Sequence, residues 1–392
     1  MAQIAKRLWD KAGKKKIPLT GSFELLPTCN FTCKMCYVRK TQKEVNESGG
    51  LLPADYWLQI ADDAMELGFL FPLLTGGEPL LREDFQEIMS GMLDRGLQIS
   101  INSNGSLVDE SMAKWLGHHK PVRMNITLYG AGEDSYQQLC GNGEAYGKVC
   151  RGVELLKQYQ VPVKFNASIT RYNVQDLEAM IQYAKSVDSP IEIASYMFPP
   201  VRRDSSMIGK NDRLTPEEAA LVKVKADYLQ NDTKWFYSQI MRYQCFVPVT
   251  DEMLQKQSSS EGNEISCRAG RCAFWVDWKG NIGNCGLYYA AGKNLRNCSF
   301  KEAWDYIVEQ TNQIRYSPVC TNCPNFFLCH ACIAMVHNEC GDVNGRPEYL
   351  CRMNQAAAGY YQEFAKLLKD IPEMSENPGL PEIHECDWEK LI

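Results

Sequence analysis

The sequence predicts an α/β protein, a partial (β/α)6 barrel followed by a small cysteine-rich domain. Six strand-like apolar runs separated by helix-period segments lie between Phe23 and Tyr196, the pattern of parallel βα units with right-handed crossovers. Beyond Cys267 the alternation gives way to regularly placed cysteines. The length of 392 residues, 45 % hydrophobic and 23 % charged, suits one large core and one smaller unit.

Residues 1–20 read as an amino-terminal extension, with Lys14-Lys15-Lys16 as a solvated basic patch near a flexible end. The barrel is expected over 21–200. Its first strand is Phe23–Leu26, and Lys40 to Gly50 reads as an exposed loop. Helical segments follow over 54–67 (Trp57, Ile60, Ala64 and Leu67 at helical spacing), 83–95, 109–117, 146–159 and 174–187. Between them lie strands Pro72–Thr75, Leu97–Ile101, Val122–Leu128, Val161–Thr170 and Ile191–Tyr196. Ligands of such a barrel bind at the carboxyl ends of the strands. Residues 201–266 read as a linker containing one helix, started by Thr215-Pro216-Glu217-Glu218 and running to about Leu229. Arg202-Arg203 reads as a solvated pair, and 251–264 as a mobile loop. The last unit, 267–392, opens with a hairpin at Ala273–Ile282, turning at Gly280, and ends in a helix.

The longest apolar run, Leu67 to Leu74, is broken by Pro72 and far short of a bilayer span. The opening residues lead into charge and not into a signal core, so the expected localisation is cytoplasmic, with no membrane partner. Seventeen cysteines in that compartment point to metal or redox work, because disulfides are disfavoured there. A formal charge of −6 argues against nucleic acid as a partner.

The chemistry starts at Cys29-Asn30-Phe31-Thr32-Cys33-Lys34-Met35-Cys36, three thiols at gaps of three and two residues after the first strand. Iron–sulfur cubanes are held by cysteine thiolates, four in a closed site. Three leave one iron open to a ligand. Zinc is the alternative, although zinc knuckles pair C-x-x-C with a distant second pair. The motif resembles that of the radical SAM superfamily, with Met35 where members often have an aromatic residue. The resemblance implies a TIM-like partial barrel, a 4Fe–4S cluster on Cys29, Cys33 and Cys36, and S-adenosyl-L-methionine chelated by the open iron. It further implies reductive cleavage of that cofactor to a 5′-deoxyadenosyl radical, which abstracts hydrogen from a substrate. Gly76-Gly77-Glu78-Pro79, after the second strand, resembles the family's GGEP motif at the cofactor's amino group. Glycines admit a ligand to the backbone, and a carboxylate accepts from an ammonium. Asn102-Ser103-Asn104-Gly105 resembles the family's turn near the ribose, and Thr127 stands where relatives have a serine pointing at the cofactor.

Cys267, Cys285, Cys320, Cys323, Cys329, Cys332 and Cys351 resemble, in order, the SPASM extension of the same superfamily, which holds two auxiliary 4Fe–4S clusters. One gap departs: two residues separate Cys329 from Cys332 where the family has three. The resemblance implies a distal cluster on Cys320, Cys323, Cys329 and Cys351, and a proximal one on Cys267, Cys285 and Cys332. Cys272 is a candidate fourth ligand of the proximal cluster, and Cys340 an understudy for Cys332. The expected cofactors are three 4Fe–4S clusters and S-adenosyl-L-methionine.

By this resemblance the chain is a radical SAM/SPASM enzyme that modifies a peptide, by crosslinking, epimerisation or excision. With about twenty residues before the first strand, leader recognition is expected from a separate leader-peptide-binding protein or from the barrel itself. A ferredoxin or flavodoxin is the expected electron donor. One alternative is a small-molecule radical oxidase or rearrangement enzyme. Another is a sulfatase maturase, against which stands Gly286 in place of the Asp found after the matching cysteine. Outside catalysis the alternative is a zinc-binding adaptor. No catalytic acid or base is legible, though Tyr196 and Met197 are expected near the barrel mouth.

Overall fold

The computed structural model describes residues 2–210, 212–250, 252–253, 267–288, 292–329 and 331–369; most of the loop expected at 251–264 lies outside them. Strands β1 (Thr20–Glu24), β2 (Phe71–Thr75), β3 (Ser100–Ser103), β4 (Arg123–Thr127), β5 (Val163–Ser168) and β6 (Ile191–Ala194) pair in parallel, each with the next. Helices α1 (Ala2–Lys15) and α2 (Gln42–Glu47) precede the crossovers α3 (Ala54–Met65), α4 (Phe85–Asp94), α5 (Glu110–His118), α6 (Glu133–Cys140), α7 (Ala145–Gln158) and α8 (Leu177–Ser186). Each crossover packs one apolar stripe on the sheet. In α3 the stripe is Trp57, Ile60, Ala61 and Ala64; in α4 it is Phe85, Ile88, Met89 and Met92, the spacing of an amphipathic helix. The expected (β/α)6 barrel is the observed one.

The other edge of β1 is occupied as well. Strand β7 (Ala273–Val276) lies parallel to it, from Thr20 opposite Ala273 to Phe23 opposite Val276. It turns at Gly280 into β8 (Asn281–Gly283), which pairs antiparallel with it, and β9 (Lys293–Asn294) follows. The expected hairpin is therefore present, and it continues the barrel sheet. Phe274 fastens the junction. It fills the space over Gly21, where a Cβ would sit 2.2 Å from the ring. It also meets Phe23, Phe69 and Phe300 at 6.1, 5.3 and 5.1 Å between ring centres.

Three segments depart from expectation. The polar stretch after the cysteine motif holds α2, opened by a capping box between Thr41 and Glu44. The amino-terminal extension is α1, which lays Trp9 on Phe71 at 5.6 Å and buries Ala12 with Leu19 and Cys272, while Lys14 and Lys15 stay exposed. The linker carries not one helix but two, α9 (Pro216–Gln230) and α10 (Thr233–Tyr243), capped by Thr215 and Asp232. Helix α9 packs along the closing helix Glu348–Lys369.

Phe274→Ala should cost about 3–5 kcal/mol of unfolding free energy, the range for truncating a buried aromatic residue. Urea denaturation of the purified chain measures it.

Candidate functional site

The cysteine motif is the loop between β1 and α2, and its shape is set by backbone bonds on both flanks. On one side it runs beside the turn after β2: Gly77 N–H donates to Leu26 O (2.7 Å) and Glu78 N–H to Thr28 O (3.0 Å). This approach admits no side chain. A Cβ on Gly76, whose φ is +152°, would lie 2.3 Å from Leu26 O, and one on Gly77 2.0 Å from Thr28 O. On the other side Thr32 N–H and Lys34 N–H donate to the carbonyls of Cys140 and Leu139 (3.0 Å each), at the carboxyl end of α6. Beneath, the buried Arg82 guanidinium holds Leu25 O (2.7 Å) and Leu52 O (2.6 Å), with its charge met by Asp84.

The loop brings Cys29, Cys33 and Cys36 to the wall of one cavity of about 370 Å³ at the carboxyl ends of the strands. Burial pushes the Cys29 thiol up to about 12. Cys33 is raised by its hydrogen bond with Cys140 and then by burial, and Cys36 by burial. Such thiols ionise when a bound metal supplies the positive charge. Backbone donors are already in place: Phe31 N–H points at Cys29 Sγ (3.4 Å) and Arg39 N–H at Cys36 Sγ (3.3 Å). Three thiols on one cavity wall, two of them with amide donors, are a donor set that fits an iron–sulfur cluster with one open iron.

Among the cofactor-site candidates, Gly76, Gly77, Asn102, Ser103, Asn104 and Thr127 line this cavity. Glu78 and Pro79 do not. The Glu78 carboxylate is fully buried and already engaged, accepting from Ser103 Oγ (2.8 Å), Asn104 N–H (2.7 Å) and Leu80 N–H (3.1 Å). Burial raises it to about 7, against the pull of these three donors. It ties the turn after β2 to the turn after β3. Asn104 Nδ2 in turn donates to Asn30 Oδ1 (2.9 Å), inside the cysteine loop. Tyr196 and Met197 also line the cavity, as expected of the β6 end.

The carboxyl-terminal cysteines separate into two groups. Cys320, Cys323, Cys329 and Cys351 line one cavity; Cys267, Cys285 and Cys332 line another. Amide donors recur here, from Ala269 N–H to Cys267 Sγ and from Leu287 N–H to Cys285 Sγ, both at 3.4 Å. Cys272 faces away from both cavities, buried beneath α1 with Ala12 and Leu19. Cys340 stands on the side of Cys320 and Cys351 and not with Cys267 and Cys285.

A charged bridge lies between the cysteine loop and the second group. Arg202 is not solvated, as the sequence suggested: its guanidinium forks onto the fully buried Glu24 at 2.6 and 2.9 Å. Trp275 Nε1 donates to the same carboxylate (3.0 Å). That indole covers Gly286, where a Cβ would lie 2.6 Å from the ring, so this position has no room for an Asp side chain. Sequence reading missed Glu24, Arg202 and Arg82. The one signal was a carboxylate inside the otherwise apolar run Phe23–Leu26.

Residues 23–184 match the family model described as Radical SAM superfamily. The AdoMet-dependent heme synthase of Methanosarcina barkeri (strain Fusaro / DSM 804) is 24 % identical over 346 residues, 83 % of this chain and 94 % of that protein. The PqqA peptide cyclase of Granulibacter bethesdensis is 27 % identical over 176 residues, 45 % of this chain and 46 % of that one. Among solved structures, Streptococcus suis SuiB superposes with a TM-score of 0.62 at 15 % identity, over 88 % of this chain and 80 % of that one.

Glu78 yields a pH prediction. Its carboxyl is raised from 4.5 to about 7 in the fold, so its contribution is full below 4.5 and lost as pH rises through 7. Wild type should lose stability relative to Glu78→Gln between those limits and then level off. Denaturation of both proteins from pH 4 to 8 checks it.

Proposed function

We propose that this chain, an enzyme of the radical SAM superfamily with that domain over residues 23–184, modifies a peptide. Cys29, Cys33 and Cys36 would hold the 4Fe–4S cluster. The backbone of Gly76 and Gly77, with Asn102, Asn104 and Thr127, would receive S-adenosyl-L-methionine. Bound together, these groups supply reductive cleavage of the cofactor and removal of hydrogen from a substrate. Glu78, through Ser103 Oγ and Asn104 N–H, would fix the two turns that receive the cofactor.

The carboxyl-terminal segment we read as a SPASM extension. Its distal cluster is assigned to Cys320, Cys323, Cys329 and Cys351, and its proximal cluster to Cys267, Cys285 and Cys332. Cys272 is left out, because it faces α1 and not the cavity of that group. A ferredoxin or flavodoxin would deliver electrons. The zinc-adaptor alternative falls with the family match, and the sulfatase reading is weakened further by the indole over Gly286.

The observation that carries the peptide reading is the cavity wall. Among the described residues its lining includes no Lys, Arg, His, Asp or Glu; beyond the cysteines and the cofactor positions it is mostly aromatic and apolar (Phe31, Met35, Tyr37, Val38, Tyr129, Tyr196, Met197, Phe198 and Leu287), with the small residues Thr75, Ser168 and Ala194. Such a wall suits a neutral side chain presented from an extended segment. A tetrapyrrole bearing several carboxylates would call for cations there. The PqqA peptide cyclase among the relatives supports the same substrate class. The second reading, a porphyrin substrate, is favoured by the coverage of the heme synthases, 80–83 % of this chain.

The test is anaerobic incubation of the reconstituted, reduced enzyme and S-adenosyl-L-methionine with two substrates separately. One is a short precursor peptide encoded beside its gene, the other iron coproporphyrin. The expected result is 5′-deoxyadenosine together with a peptide altered by loss of two hydrogens or by solvent deuterium uptake. Turnover of the porphyrin with an unchanged peptide would contradict it.

A further inference from the structure

We propose that the exposed face of α1 docks an acidic, one-electron carrier protein beside the cysteine group of Cys267, Cys285 and Cys332. Helix α1 exposes Lys6, Arg7, Lys11, Lys14 and Lys15 against a single acid, Asp10, in a chain whose formal charge is −6. Among the described residues no ion pair or side-chain hydrogen bond engages these five cations. The helix dipole rewards only the two in the last turn, Lys14 and Lys15. Arg7 and Lys11, and again Lys11 and Lys15, stand four residues apart, a spacing at which like charges repel. A stripe that works against its own helix is accounted for by a partner of opposite sign.

The other side of α1 holds it to the body. Trp9 meets Phe71, Ala12 is buried with Leu19 and Cys272, and Trp304 Nε1 donates to Lys16 O (2.8 Å). Arg268, exposed like the α1 cations, lies over the Trp9 ring at 4.4 Å. It directly follows Cys267, so the basic surface runs from α1 to the edge of a cysteine group. The occupant follows from charge and place. Among the described residues Leu8 is the one large apolar side chain that α1 exposes, too little to enter a lipid surface and enough to centre a small, transient interface. The negative charge of the whole chain disfavours nucleic acid. An acidic carrier suits the sign of the patch, and a redox centre belongs beside the cysteines.

The inference rests on the iron–sulfur reading of the cysteine groups and not on the substrate. The measurement is biolayer interferometry of the anaerobically reconstituted full chain, so binding is read without turnover. The probes are an oxidised bacterial flavodoxin and, separately, an oxidised ferredoxin, both of net negative charge. Binding of one of them should weaken as NaCl rises from ~50 mM to ~300 mM, which shortens the screening length. Arg7→Glu/Lys11→Glu/Lys14→Glu should raise its Kd about tenfold or more, chiefly through slower association. Lys114→Glu/Lys120→Glu/Lys148→Glu makes the same change of charge on exposed barrel residues and should bind as wild type does. Wild-type affinity in the α1 variant, equal losses in both variants, or a wild type with full iron that binds neither probe overturns the docking site. Carrier affinity unmoved while the α1 variant releases phosphatidylserine vesicles assigns the stripe to a membrane and overturns it as well. A wild type without iron overturns the cluster reading beneath it. Should the α1 variant unfold early in urea, Arg7→Gln/Lys11→Gln/Lys14→Gln keeps good helix formers and must weaken binding in the same direction; unchanged affinity overturns the proposal.

Discussion

Two hydrogen bonds, from Gly77 N–H to Leu26 O and from Glu78 N–H to Thr28 O, carry the barrel mouth. A loop that carries three cysteines at gaps of three and two residues has few residues left to fix itself. It is fixed instead by neighbouring βα turns. The turn after β2 reaches it only because Gly76 and Gly77 lack side chains. Glu78 then passes the restraint to the turn after β3, whose Asn104 returns to Asn30. Burying that carboxylate costs stability at neutral pH, which its three donors offset in part. The gain is a set of polar groups held around one cavity before any ligand arrives.

The same logic joins the barrel to the cysteine-rich segment. β7 extends the sheet beside β1, Phe274 fills the space above Gly21, and Trp275 reaches Glu24. Glu24 and Arg202 form a desolvated pair, and such pairs contribute little net stability because both charges leave water. Their placement between the first cysteine loop and Cys285 serves alignment instead. Removing one partner alone would leave a buried charge, the costly case.

Most of the barrel was legible because its strands are short apolar runs bounded by amphipathic helices, and both periods are local. Helix α2 was not, although Thr41 and Glu44 spell a capping box, because its surroundings are uniformly polar. Helix α6 starts at Gly132 without a side-chain cap and is largely polar on its outer face. In the site, residue types announced the chemistry but not the direction of side chains. Glu78 reads as a ligand contact, and its carboxylate is bonded to the turn after β3. Arg202 reads as solvated and is paired with a carboxylate 178 residues away in sequence. Cys272 and Cys340 are indistinguishable from ligands by type; only the fold turns them from the cavity of Cys267 and Cys285.

The most direct test of the cysteine assignments is the iron and acid-labile sulfide content after anaerobic reconstitution. Wild type should hold about twelve of each, at four per cubane. The Cys29/Cys33/Cys36→Ala variant should hold about eight, and Cys272→Ala should match wild type. About eight irons in wild type, a loss of iron in Cys272→Ala, or zinc in place of iron would contradict the assignment.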